Sequence, residues 1–141
     1  MRQFLIVFFC FLSTFVFAQK EPKTTRILFV FDASLSMHGQ MGNKSKMDVA
    51  QKVMSDALDS LKNIPNLQLA IRMYGNRVKI TPQFQDCNDT HLEVPFAEDN
   101  IEDIKHLLKR TVPRGTTPIA KSLEETINDF PPCDNCRNII I

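Results

Sequence analysis

Asp32, Ser34 and Ser36 stand at alternate positions directly after an apolar run, in Arg26-Ile27-Leu28-Phe29-Val30-Phe31-Asp32-Ala33-Ser34-Leu35-Ser36-Met37. One carboxylate and two hydroxyls so spaced make half a shell of oxygens for a hard divalent cation such as Mg²⁺. A further hydroxyl-rich stretch comes much later, in Arg114-Gly115-Thr116-Thr117-Pro118. Gly115 suits a tight turn there, and Pro118 suits the first position of a helix capped by Thr117. If the fold gathers them, Asp32, Ser34, Ser36 and Thr117 form a sparse oxygen site. Waters or an incoming ligand would then complete the coordination.

The elements around these residues must bring the two stretches together. Arg26 to Asp32 lacks polar alternation, which predicts a central parallel strand covered on both faces. Ligand sites of open α/β sheets lie beyond the carboxyl ends of such strands. After a glycine-containing loop, Ser45-Lys46-Met47-Asp48 has the form of a capping box. Met47, Ala50, Val53, Met54, Ala57, Leu58 and Leu61 follow at helical spacing, to about Asn63, where Pro65 blocks continuation. Leu67 to Tyr74 predicts a second strand, ended by Gly75-Asn76. Arg77 to Thr90 predicts a long loop, with a possible extended piece over Val78 to Thr81.

Leu92-Glu93-Val94-Pro95-Phe96 alternates and carries a proline, as an edge strand would. Asp99 is expected to cap a helix with Ile101, Ile104, Leu107 and Leu108 on one face. Ile119, Leu123, Ile127 and Phe130 are the expected buried face of the last helix, which Pro131-Pro132 ends. Arg137 to Ile141 starts another buried strand. Right-handed crossovers then carry the chain up the first two strands, down the edge strand and up again, returning the Gly115 turn beside Asp32.

Asp-x-Ser-x-Ser after an apolar strand, followed by a Gly-x-Thr-Pro turn opening a helix, resembles the von Willebrand factor A domain. The resemblance runs from about Arg26 to Ile141. It implies a doubly wound, Rossmann-like α/β fold, with a mostly parallel sheet and one antiparallel edge strand. It also implies a metal-ion-dependent adhesion site, with Ser34, Ser36 and Thr117 as direct ligands and Asp32 acting partly through water. In that family a partner's acidic group completes the metal's coordination. A protein or glycan ligand is therefore the expected partner, and Mg²⁺ the expected cation, with Ca²⁺ or Mn²⁺ as alternatives. The family's later aspartate would fall just past Ile141. The chain is accordingly expected to be the N-terminal portion of a longer protein.

Composition bounds the alternatives. Met1-Arg2-Gln3 and the apolar Phe4 to Phe17 have the layout of a secretory signal peptide cleaved after Ala18. Gln19 to Thr25 is then a polar leader, and 26–141 the domain. The apolar run is short of the roughly 20 residues of a spanning helix. The whole chain has 17 Lys+Arg against 16 Asp+Glu. With Arg2 removed the mature chain is formally neutral, and no basic cluster suggests nucleic acid or anionic lipid. Export to the periplasm, cell surface or medium permits disulfides. Cys133-Asp134-Asn135-Cys136 follows a helix and Pro-Pro, which favours a structural staple over a redox site. Cys87 belongs at the opposite end of the sheet and is expected to pair with neither.

His38, His91 and His106 are scattered and expected at the surface. An enzyme is the weaker expectation. Asp32 after a strand is placed like the nucleophile of aspartyl phosphotransferases, but Ser34 stands where these generally carry a second carboxylate. No phosphate-cradling glycine loop is present either. A truncated product without a stable fold of its own is the remaining alternative.

Overall fold

A computed structural model describes residues 23–141. The expected signal peptide and most of the expected leader lie outside the described residues. The elements are β1 (Thr24–Asp32), a 3-10 turn (Leu35–His38), β2 (Gln40–Met41), β3 (Lys44–Ser45), α1 (Lys46–Leu61), β4 (Leu67–Tyr74), β5 (Thr90–Ala97), α2 (Ile101–Arg110), α3 (Ile119–Asp129) and β6 (Cys136–Ile140). The main sheet has the order β5-β4-β1-β6. β1 pairs in parallel with both β4 and β6, whereas β5 runs antiparallel to β4 at one edge. This is the expected α/β architecture, with β1 central. Among the described residues no helix is long and apolar enough to cross a membrane.

Local chemistry explains most boundaries. The Ser45 hydroxyl accepts from the Asp48 amide at 3.0 Å, and the Asp48 carboxylate accepts from the Ser45 amide at 3.0 Å. This reciprocal box starts α1. β1 starts at Thr24, two residues before the expected strand, because Thr24 and Thr25 pair with Cys136 and Arg137 of β6. They belong to the sheet rather than to a leader. The loop after His38 contains the small β2–β3 hairpin, which the sequence patterning did not predict. Its turn has Gly42 at φ 65°, a conformation that favours glycine.

Two caps differ from expectation. Asn100, not Asp99, occupies the N-cap of α2. Its amide group instead ties β4 to β5's end, donating to the Leu69 and Pro95 carbonyls at 2.6 and 2.9 Å. At α3 the N-cap is Pro118, and Thr117 enters through its backbone, its carbonyl accepting from the Ile119 amide at 2.9 Å.

The two faces of the sheet differ in kind. Ile27, Phe29 and Phe31 of β1 and Leu69, Ile71 and Met73 of β4 form an apolar core with Met47 and Leu58 of α1 and Ile104, Leu107 and Leu108 of α2. The alternate residues face α3, and Arg26, Gln68 and Arg72 stand there among the apolar Leu28, Val30 and Ala70. Arg72 donates through Nε and Nη2 to both Asp129 oxygens at 2.7 Å, and through Nη1 to the Thr90 hydroxyl at 3.1 Å. Arg26 donates to Gln68 at 3.0 Å and to the Pro131 carbonyl at 2.8 Å. Its guanidinium also lies over the Phe96 ring, itself 4.9 Å from Phe130. A register shift in β5 between Val94 and Ala97 accompanies the change of face, since Val94 packs on the apolar core.

This polar face overturns the expected orientation of α3. Ser122 and Thr126 are its buried residues, whereas Ile119, Leu123 and Ile127 are exposed, Ile127 by 79%. Ser122 and Thr126 can be buried because their hydroxyls donate back into the helix, to the Pro118 and Leu123 carbonyls. They are also small enough to let α3 approach the strands closely. The helix packs on β4, β5 and β1.

Cys133 and Cys136 form a disulfide at the start of β6, and Cys87 is free and exposed. Both observations agree with the placement of these loops at opposite ends of the sheet.

Candidate functional site

β1 delivers Asp32 to the carboxyl edge of the sheet, in register with Tyr74 of β4. There the chain turns at once. Asp32 Oδ1 accepts from the Ser34 amide at 2.7 Å, an Asp-turn that folds the next residues back over the carboxylate. Ser34 Oγ lies 3.1 Å from Ser36 Oγ. Ser34 is buried, and Ser36 is exposed at the start of the 3-10 turn. One carboxylate and two hydroxyls are thus packed into a single turn.

The Gly115 turn docks against that loop. Ser34 and Gly115 form a parallel β-bridge, with the Leu35 amide donating to the Gly115 carbonyl at 2.9 Å. The Gly115 amide donates to the Gly75 carbonyl at 2.8 Å. Gly75, at φ 71°, has no room for a side chain. A Cβ there would stand 2.7 Å from Ser34 Cα and would collide with the Thr116 carbonyl. Three backbone segments, 32–36, 75 and 115–117, therefore meet without side chains between them. The Thr116 hydroxyl donates to the Asp86 carbonyl and anchors the turn to the β4–β5 loop. Thr117 remains exposed at the mouth.

The electrostatics are set by few charges. Burial pushes the Tyr74 phenol up to about 12, helped by the Asp32 charge and a hydrogen bond to it. Tyr74 therefore stays protonated as a donor beside Asp32. Burial also works to raise the Glu93 carboxyl, but bonds from Arg77 and Asn76 outweigh it and hold the group below its ordinary value. Arg77 and Glu93 are thus spoken for by each other. Among the described residues no group of three or more His, Cys, Asp or Glu is placed to hold a metal. Any cation at this edge would be held by hydroxyls and one carboxylate. Hard oxygens of this kind, one charged and the rest neutral, suit a cation such as Mg²⁺ and leave it part of its charge.

His38 and His106 are exposed and His91 is half-buried. The His38 ring hydrogen-bonds the Pro113 carbonyl at 3.0 Å, which links the 3-10 turn to the segment leading into the Gly115 turn. Sequence patterning missed Tyr74 and Asp89 as neighbours of the site. Tyr74 looked like the end of a strand, and Asp89 lies in a loop with no periodicity to place it.

No family model matches the chain. Over 125 residues it is 27% identical to YwmD of Bacillus subtilis (strain 168), an uncharacterized protein, spanning 88% of this chain and 56% of that one. The fold is similar to the PilB minor pilin from Streptococcus sanguinis (TM-score 0.64, 16% identity, 86% of this chain and 30% of that one). It is also similar to BatB from Bacteroides thetaiotaomicron (TM-score 0.59, 18% identity, 83% and 52%). A third similarity is to the vWF domain of the type V pili tip protein Mfa5 from Porphyromonas gingivalis (TM-score 0.58, 18% identity, 84% and 36%). The chain therefore has a von Willebrand factor A-like fold. It spans about half the length of YwmD and of BatB.

Proposed function

We propose that this von Willebrand factor A-like domain is a binding module of an exported protein, not an enzyme. It would bind a Mg²⁺ ion through Ser34, Ser36 and Thr117, with Asp32 acting partly through water. The bound ion would supply a Lewis-acidic point to which an acidic group of a protein or glycan partner attaches. The observation that carries this reading is the Ser34–Gly115 bridge, which seats the Thr117 turn on the Asp32–Ser36 loop. Two segments distant in sequence are joined at the one sheet edge where open α/β folds bind ligands.

Each residue has a separate task. The Ser34 amide holds Asp32 Oδ1, so the carboxylate's direction is set before any ion arrives. Tyr74 stands beside the same carboxylate. Ser34 and Ser36 hold each other's hydroxyls at one spacing, which limits the reorganisation needed to receive a small cation. Likeness to the type V pili tip protein Mfa5 and the apolar N-terminal stretch both support export.

The reading is tested by titrating the chain with Mg²⁺ by calorimetry, alongside Asp32→Ala and an EDTA-treated sample. Saturable Mg²⁺ binding is expected, and Asp32→Ala should abolish it. Equal binding by the two proteins would sink the proposal.

A further inference from the structure

Asp89 is the most deeply buried charged group near the sheet edge, its side chain 0% exposed. Its Oδ2 accepts from the Val78 amide at 2.9 Å and the Arg77 amide at 3.2 Å. Its own carbonyl accepts from the Gly75 amide at 2.9 Å. On the other side the carboxylate abuts Gly115. A Cβ on Gly115 would stand 2.6 Å from Asp89 Oδ2, 2.7 Å from the Val78 carbonyl and 2.8 Å from Gly75 Cα. Asp89 therefore touches both segments that close on Ser34.

Burying a carboxylate at that position to accept these two amides carries a cost. Its Oδ1 is buried and has no hydrogen-bond partner among the described residues, and the nearest cationic candidate, His91 Nε2, is 3.8 Å away. Burying half a carboxylate unpaired costs stability. Such a cost is met where the surrounding geometry is needed for something else.

We infer that Asp89 is a positioning residue for the cation site, seating the Gly115–Thr117 turn against Ser34 from behind. It touches no proposed ligand and acts through the backbone of Gly75, Arg77, Val78 and Gly115. Without it the amides of Arg77 and Val78 lose their acceptor, the 75–78 segment loosens, and the Thr117 hydroxyl is no longer presented at a fixed place. Outer groups that orient ligands commonly govern affinity as strongly as this. The inference rests on the cation reading above.

The test is a double-mutant cycle on Mn²⁺ binding, read by the electron paramagnetic resonance of the free ion, in the chain, Asp89→Ala, Thr117→Ala and the pair. Asp89→Ala should weaken Mn²⁺ binding roughly tenfold, and that loss should largely vanish when Thr117 is already alanine. A merely structural role would not depend on Thr117. Asp89→Asn, which keeps one acceptor oxygen for the two amides, should fold and bind within about threefold of the parent, and it decides the matter if the alanine variant does not fold. Equal losses with and without the Thr117 hydroxyl, or a tenfold loss in folded Asp89→Asn, would overturn the inference while leaving the cation reading intact. A parent chain that binds no Mn²⁺ would overturn both.

Discussion

The two faces of the sheet are made from alternate residues of the same strands, yet they are stabilised differently. On one, Ile27, Phe29, Phe31, Leu69, Ile71 and Met73 pack against α1 and α2 with no polar group among them. On the other, Arg26, Gln68 and Arg72 reach toward α3 and are held by Asp129, Thr90 and the Pro131 carbonyl. The apolar face gains from area removed from water and tolerates small shifts. The polar face depends on geometry, because each buried donor needs its own acceptor. One strand pattern thus supports a dispersed core on one side and a keyed network on the other.

The sharpest way to break this contrast is to remove one key. Asp129→Ala should cost about 4 kcal/mol, since it leaves the Arg72 guanidinium buried without its bidentate partner. Replacing both together, Arg72→Met with Asp129→Leu, should recover most of that loss, as measured by urea unfolding. Next comes the apolar face, where Leu58→Ala should cost about 3 kcal/mol by the same measurement, with no partner change able to rescue it. The smallest effect belongs to the outer side of α3. Ile127→Ser should change stability by less than about 0.5 kcal/mol, because Ile127 is largely exposed. A large loss there, or a neutral Asp129→Ala, would dissolve the distinction between the faces.

The same contrast explains what could be foreseen. α1 and α2 pack on the apolar face with a hydrophobic stripe inward, and Leu58, Ile104 and Leu108 are buried as helical spacing predicts. α3 carries an equally regular stripe, yet buries Ser122 and Thr126 instead. Periodicity shows that a helix is amphipathic, but which side goes inward depends on the surface it meets, and here Arg26 and Arg72 put buried polar groups among Leu28 and Ala70. Val53 shows the limit even in α1, since it shares the apolar spacing and is exposed. The caps divide similarly. Ser45 caps α1 because its box partner Asp48 is local, whereas Asn100 displaces Asp99 because its side chain is needed at Leu69 and Pro95, far from any local signal.

For the candidate site, the chain alone determined the Asp32-Ser34-Ser36 turn, because a carboxylate accepting its neighbour's amide two residues on is a local bond. It also determined that β1 is central, since a strand apolar on successive residues must be covered on both faces. Tertiary structure decided the rest. The approach of the Gly115 turn to Ser34 depends on the absence of side chains at Gly75 and Gly115, which leaves no periodic trace. Close backbone approach is a property of three segments at once, and a sequence presents them one at a time.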